Sequence, residues 1–171
     1  LEHRRQRQMC IRDRNNIIQQ TAYVNIGVEA SINDNILNVK VEAYYTGDSP
    51  VNTNRLIVAL TQDGTVGPQG GSQYNPSYVV SSAPNANYQH GEYDYLHMDR
   101  LVYMLTDING EPLNNTTSGT FVERCFSYTI PSFYNDVPVD LGQLKVTAYI
   151  SETNNDIING AQVNALVNEE N

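Results

Sequence analysis

A chain of 171 residues with 40% apolar and 17% charged residues is long enough to bury a core without metal or disulfide support, and too apolar to remain disordered. Its net charge of −9 understates the acidity, because Arg4, Arg5, Arg7, Arg12 and Arg14 are half of all basic residues and beyond Arg14 five basic residues stand against 17 acidic ones. Such a surface repels phosphate, which excludes nucleic acid and anionic lipid as partners of the folded part, and no stretch has the length of a transmembrane helix.

The first segment, Arg4-Arg-Gln-Arg-Gln-Met-Cys-Ile-Arg-Asp-Arg14, lacks the apolar centre of a secretory signal and is not a clean amphipathic helix. It resembles translated sequencing-adapter read-through. Residues 1–14 are therefore set aside as non-native, and residues 15–171 are expected to form one domain, a C-terminal fragment of a longer protein.

Tyr23-Val-Asn-Ile-Gly-Val-Glu-Ala30 and Leu37-Asn-Val-Lys-Val-Glu-Ala-Tyr-Tyr45 alternate apolar and polar side chains around the turn-prone Asn33-Asp34-Asn35. Period two predicts an antiparallel hairpin that buries Val24, Ile26 and Val28 from one strand and Leu37, Val39, Val41 and Ala43 from the other. After the turn cluster Thr46-Gly-Asp-Ser-Pro50, Arg55 to Gln62 is apolar on both faces, as a central strand is.

From Asp63 to about Tyr95 the pattern stops and five tyrosines appear: Tyr74, Tyr78, Tyr88, Tyr93 and Tyr95. A loop of this length in a compact domain is functional or disordered, and its aromatic content argues for function. Leu96 to Thr106 alternates as a strand, although Leu101, Met104 and Leu105 also fit one helical turn. Asp107-Ile-Asn-Gly-Glu111 carries the Asn-Gly turn signal; it lacks the later Glu and the flanking helices of an EF-hand. Strands are expected over Thr120–Ile130 and Leu144–Ser151, the latter with Leu144, Val146, Ala148 and Ile150 inward, and a short one near Ile157, Ile158 and Val163. The expected fold is all-β: an immunoglobulin-like β-sandwich of two antiparallel sheets, about seven strands and one long loop insertion, without the Cys…Trp…Cys core of antibody domains.

At this point the separated blocks Val24-Asn-Ile-Gly-Val-Glu-Ala30, Val39-Lys-Val-Glu-Ala-Tyr-Tyr45, Leu56-Ile-Val-Ala-Leu-Thr-Gln-Asp63 with Gly67-Pro-Gln69, Tyr95-Leu-His97 before Met104-Leu-Thr106, and Gly119-Thr-Phe-Val-Glu123 with Ser127-Tyr-Thr-Ile-Pro131 gain a common meaning. In this order they resemble the C-terminal β-domain of the twenty-eight-kilodalton outer-membrane protein family of Bacteroidetes, over about Ala22 to Ala161. The resemblance implies a bacterial outer-membrane or surface-exposed protein, an adhesin or receptor with no established catalysis, whose relatives carry a thioredoxin-like N-terminal domain. The family tends to have a His-x-His pair where this chain reads His97-Met-Asp99. That departure weakens a metal or pH role for the pair.

The residues support the same division of roles. Ser is abundant without a Gly-x-Ser-x-Gly elbow, and Cys125, taken as a small buried apolar side chain in mid-strand, has only Arg124 nearby to activate it. No enzyme and no cofactor is expected. Asn114-Asn-Thr116 and Asn115-Thr-Thr117 fit a glycosylation acceptor pattern, which marks an exposed loop. His90, His97 and Asp99, with Glu92 or Asp94, carry donors that a divalent cation accepts if they converge; solvated side chains are the plainer reading. Two functions remain: a surface module that binds protein or glycan through Tyr74, Tyr78, Tyr88, Tyr93 and Tyr95, or a spacer supporting another domain. A binding module exposes those tyrosines, and a spacer buries them against its own sheet. Membrane association is expected to come from sequence outside this chain.

Overall fold

The computed structural model describes residues 21–70, 76–153 and 156–168. The Arg-rich segment up to Arg14 and Tyr74 lie outside them.

The hairpin forms as its alternation predicts. β1 (Val24–Asn33) and β2 (Ile36–Tyr45) pair antiparallel over their whole length, from Val24 opposite Tyr45 to Asn33 opposite Ile36. The turn is closed by Asp34 at φ 56°, a left-handed conformation that Asp tolerates better than most residues. β3 (Asn54–Gln62) is central and buried on both faces, from Leu56 at 2% exposure to Leu60 at 0%.

The chain then builds β4 (Thr65–Pro68), β5 (Asp94–His97), β6 (Arg100–Met104), β7 (Glu111–Leu113) and β8 (Phe121–Thr129). It ends with β9 (Phe133–Tyr134), β10 (Val137–Pro138), β11 (Leu144–Ser151), β12 (Ile157–Asn164) and β13 (Leu166–Asn168). One sheet runs β13-β1-β2-β8 and the other β12-β11-β3-β6, with β7 also on β3; β4–β5 and β9–β10 are two-stranded ribbons. The inward rows of the two large sheets close one apolar core that includes Val24, Val39, Val58, Val102, Val146 and Ile150. Each such side chain stabilises the fold by about 1.5–3 kcal/mol when fully buried. The expected all-β sandwich with an insertion after the central strand is what the chain forms.

Several expectations need correction. About seven strands become thirteen among the described residues, because four of the additional ones have only two or three residues, too short to show a period. The β1–β13 pair is parallel, so the sheets are not purely antiparallel. Ile26 and Val28 are half-buried rather than buried: β13 pairs β1 only at Ser31–Asn33, which leaves the rest of β1 at the sheet edge. The run from Leu96 to Thr106 is two strands, broken where Asp99 takes φ 53°.

Cys125 is exposed, not buried. On β8 the inward phase belongs to Val122, Arg124, Phe126 and Tyr128, and Cys125 faces out opposite Lys40. Arg124 turns inward and pairs with Glu111 of β7, while Tyr128 stacks on Tyr103 of β6 with ring centroids 4.1 Å apart. Those two contacts tie the sheets together along one edge.

Candidate functional site

The insertion between β3 and β6 is not a structureless loop. β4 and β5 pair antiparallel, Thr65 opposite His97 and Pro68 opposite Asp94, and so project a ribbon from the sheet. Between β4 and β5 the described residues include a 3-10 turn, Pro76–Tyr78, and a bridge from Val79 to Tyr95 that adds a third lane.

One carboxylate organises the outer part. Asp94 Oδ1 accepts from Asn85 Nδ2 at 2.8 Å and from the Tyr88 hydroxyl at 2.8 Å, its amide donates to Ser81 Oγ at 3.1 Å, and its carbonyl accepts from the Val80 amide at 2.9 Å. The Asn85 side chain holds Asp94 below the usual carboxylate range, with Tyr88 adding to the effect. The same bond pushes the Tyr88 phenol up. Asn85 also caps its own turn, accepting from the Asn87 amide at 3.0 Å, and donates its amide to the Glu92 carbonyl at 2.8 Å.

Beyond this hub the tip is cupped. A hollow of about 440 Å³ is lined by Gln69, Gly70, Pro84, His90, Gly91, Glu92 and Tyr93. Glu92 is held below its ordinary pKa first by its own backbone N–H and then by that of His90, whose amide lies 2.9 Å from Oε2. Lower on the ribbon, Tyr78 and Tyr95 pack with centroids 5.7 Å apart, and His97 meets the Tyr95 ring edge-on at 5.2 Å. Gly67 lies opposite Tyr95.

At the base, the Asp99 amide donates to Asp63 Oδ1 at 2.8 Å, and Lys145 Nζ pairs with Asp63 and lies 3.5 Å from Asp99 Oδ1. Gln162 Nε2 donates to the same Asp99 oxygen at 3.0 Å. Lys145 holds Asp63 below the usual carboxylate range, against the opposing effect of burial.

The sequence candidates thus separate. Tyr78 and Tyr95 share one ring cluster with His97, Tyr88 belongs to the Asp94 hub, and Tyr93 and His90 line the tip. His90, His97 and Asp99 are not brought together: among the described residues no group of three or more His, Cys, Asp or Glu is placed to hold a metal ion. Asp99 is occupied by Lys145 and Gln162. The sequence marks Asp94 only as a possible cation donor, not as the hydrogen-bond hub of the insertion, and for Gln69, Gly70 and Gly91 the signal is the breaker-rich composition on either side of the tyrosines. Elsewhere, a larger hollow of about 1010 Å³ lies against the four-stranded sheet, where Glu29 and Lys40 pair with each other at 3.3 Å.

The family model described as outer membrane protein Omp28 matches residues 2–170. HBP35 of Porphyromonas gingivalis is similar in structure with a TM-score of 0.58 and 15% identity, over 85% of this chain and 41% of that one. A domain of the outer membrane lipoprotein Omp28 from Porphyromonas gingivalis gives a TM-score of 0.53 and 11% identity, over 88% of this chain and 93% of that one. At such identities the two structures establish the fold alone. No curated protein matches the chain.

Proposed function

The chain belongs to the Omp28 family of outer membrane proteins, and on that premise we propose that it is a non-catalytic binding module of the cell envelope that engages protein or glycan through the insertion between β3 and β6. Family membership places it at the outer membrane. Among the described residues no helix is long and apolar enough to cross a membrane, and we infer attachment through sequence outside this chain. The structural relative from Porphyromonas gingivalis is itself described as a lipoprotein, which supports that inference.

The observation that carries the reading is where the tyrosines are spent. Tyr23, Tyr45, Tyr128 and Tyr134 are buried in or packed on the hydrophobic core, Tyr44, Tyr103 and Tyr149 are spread over the sheets outside it, and Tyr78, Tyr88, Tyr93 and Tyr95 are gathered in the one insertion. Tyr78 is exposed and the other three are half-buried on the ribbon. A spacer gains stability by burying such large rings in its core, about 150–250 Å² each; holding them on a projecting ribbon suits recognition.

The test uses the ribbon's own geometry. Pro68 and Asp94 are cross-strand partners, so residues 69–93 can be replaced by Asn-Gly, the preferred two-residue hairpin link. On arrays of glycans and purified extracellular proteins, the full chain should retain ligands that the shortened chain loses. Equal binding by both would contradict the proposal.

A further inference from the structure

We propose that the hollow at the ribbon tip is a subsite for a neutral saccharide, an inference that rests on the insertion being the binding surface. Its volume of about 440 Å³ falls within the roughly 300–1,000 Å³ of small-ligand pockets. A protein partner needs a surface burying about 1,000 Å² or more, and a small cup at the end of a narrow ribbon offers less.

Charge narrows the class. No Lys or Arg is among the residues that line the hollow, and the Glu92 carboxylate is, held ionised by two backbone N–H groups. Phosphate, sulfate and carboxylate ligands are therefore repelled, at a tip that belongs to a strongly acidic domain. Besides the apolar Pro84, the lining side chains mix donors and acceptors: the Gln69 amide supplies both, the His90 imidazole and the Tyr93 hydroxyl can each do either, and Glu92 accepts. Sugar hydroxyls need that mixture, because each one donates and accepts. The Tyr93 ring adds a flat apolar face against which the C–H face of a pyranose can lie.

Two of the lining residues are glycines. A Cβ at Gly70 or Gly91 would meet nothing within 4 Å, and Gly91 has φ 72°, which side-chain-bearing residues rarely adopt. Gly70 carries no such constraint. Gly70→Leu should therefore add bulk to the lining of the hollow without straining the backbone.

The experiment is a titration of the full chain with neutral gluco-, galacto- and manno-oligosaccharides and with sialylated and sulfated ones, followed by backbone amide NMR. The expected result is saturable movement of the Gly70 and Gly91 amides with a neutral sugar, with Kd about 1 mM or tighter, weakened at least tenfold by Tyr93→Ala and by Gly70→Leu. Phe133→Ala, on the separate β9 strand, should leave it unchanged. Tighter binding of acidic sugars, saturation at other residues, or insensitivity to both tip variants would overturn the inference. A chain that takes no neutral sugar but still binds an array protein through its insertion would overturn the saccharide subsite alone. A chain whose insertion binds neither would overturn the binding-module reading as well.

Discussion

The hydroxyl of Tyr45 donates to Oδ1 of Asn54 at 2.9 Å, and both residues are completely buried. Asn54 in turn donates from Nδ2 to Ser49 Oγ at 3.1 Å, and the Tyr23 hydroxyl lies 3.3 Å from that oxygen and 2.6 Å from Glu152 Oε1. A polar chain thus runs into one end of the apolar core, and it fixes the segment after β2 against the start of β3. In Tyr45→Phe the Asn54 acceptor loses its partner, and the expected loss is about 1–3 kcal/mol in urea denaturation. Asn54→Ala should cost a similar amount, with the double variant losing less than the two together.

Alkaline stability follows from the same pair of phenols. Burial pushes Tyr45 up to about 12, and burial with the Glu152 hydrogen bond pushes Tyr23 up to about 12, from 10.0. The folded state favours the neutral phenols, so their contribution is complete below pH 10 and is lost as pH climbs toward 12. Urea midpoints should hold up to about pH 10 and then fall, more shallowly in Tyr45→Phe.

Cys125 should behave as a surface thiol. In a Cys10→Ser background it is expected to react with a maleimide under native conditions nearly as fast as in denaturant, and Cys125→Ser should shift stability by no more than about 0.5 kcal/mol. Slow native labelling would restore the buried placement.

Asp94 should hold the insertion and nothing else. Asp94→Ala removes the acceptor shared by Asn85 and Tyr88, so amide exchange should accelerate at Val80 and Asn85 while β3 and β11 keep their protection.

These cases show why some features could be read from the sequence and others could not. Leu37, Val39, Val41 and Ala43 repeat at two-residue intervals over a ten-residue strand, and so do Leu144 to Ile150; in each a single phase satisfies every position. β8 is ambiguous at Cys125 because Phe121, Glu123 and Cys125 on one phase and Val122, Arg124 and Phe126 on the other are both mixed, and the inward phase is the one that sets Val122, Phe126 and Tyr128 on the core opposite Ala43, Val39 and Leu37 of β2. β4 has four residues, includes Gly67 and Pro68, and finds its partner more than 25 residues later, so no local period announces it. The tyrosines marked the insertion, but Asp94 became its hub only once folding brought Asn85 and Tyr88 to one oxygen.

The division between a self-sufficient sandwich and an insertion free for recognition is tested most directly by the urea unfolding of the chain in which Asn-Gly replaces residues 69–93. It should unfold in one cooperative transition within about 2 kcal/mol of the full chain, because no described residue in the replaced segment belongs to the core. A loss of more than about 4 kcal/mol, or of cooperativity, would mean that the insertion's tyrosines help hold the sandwich together and would contradict the account.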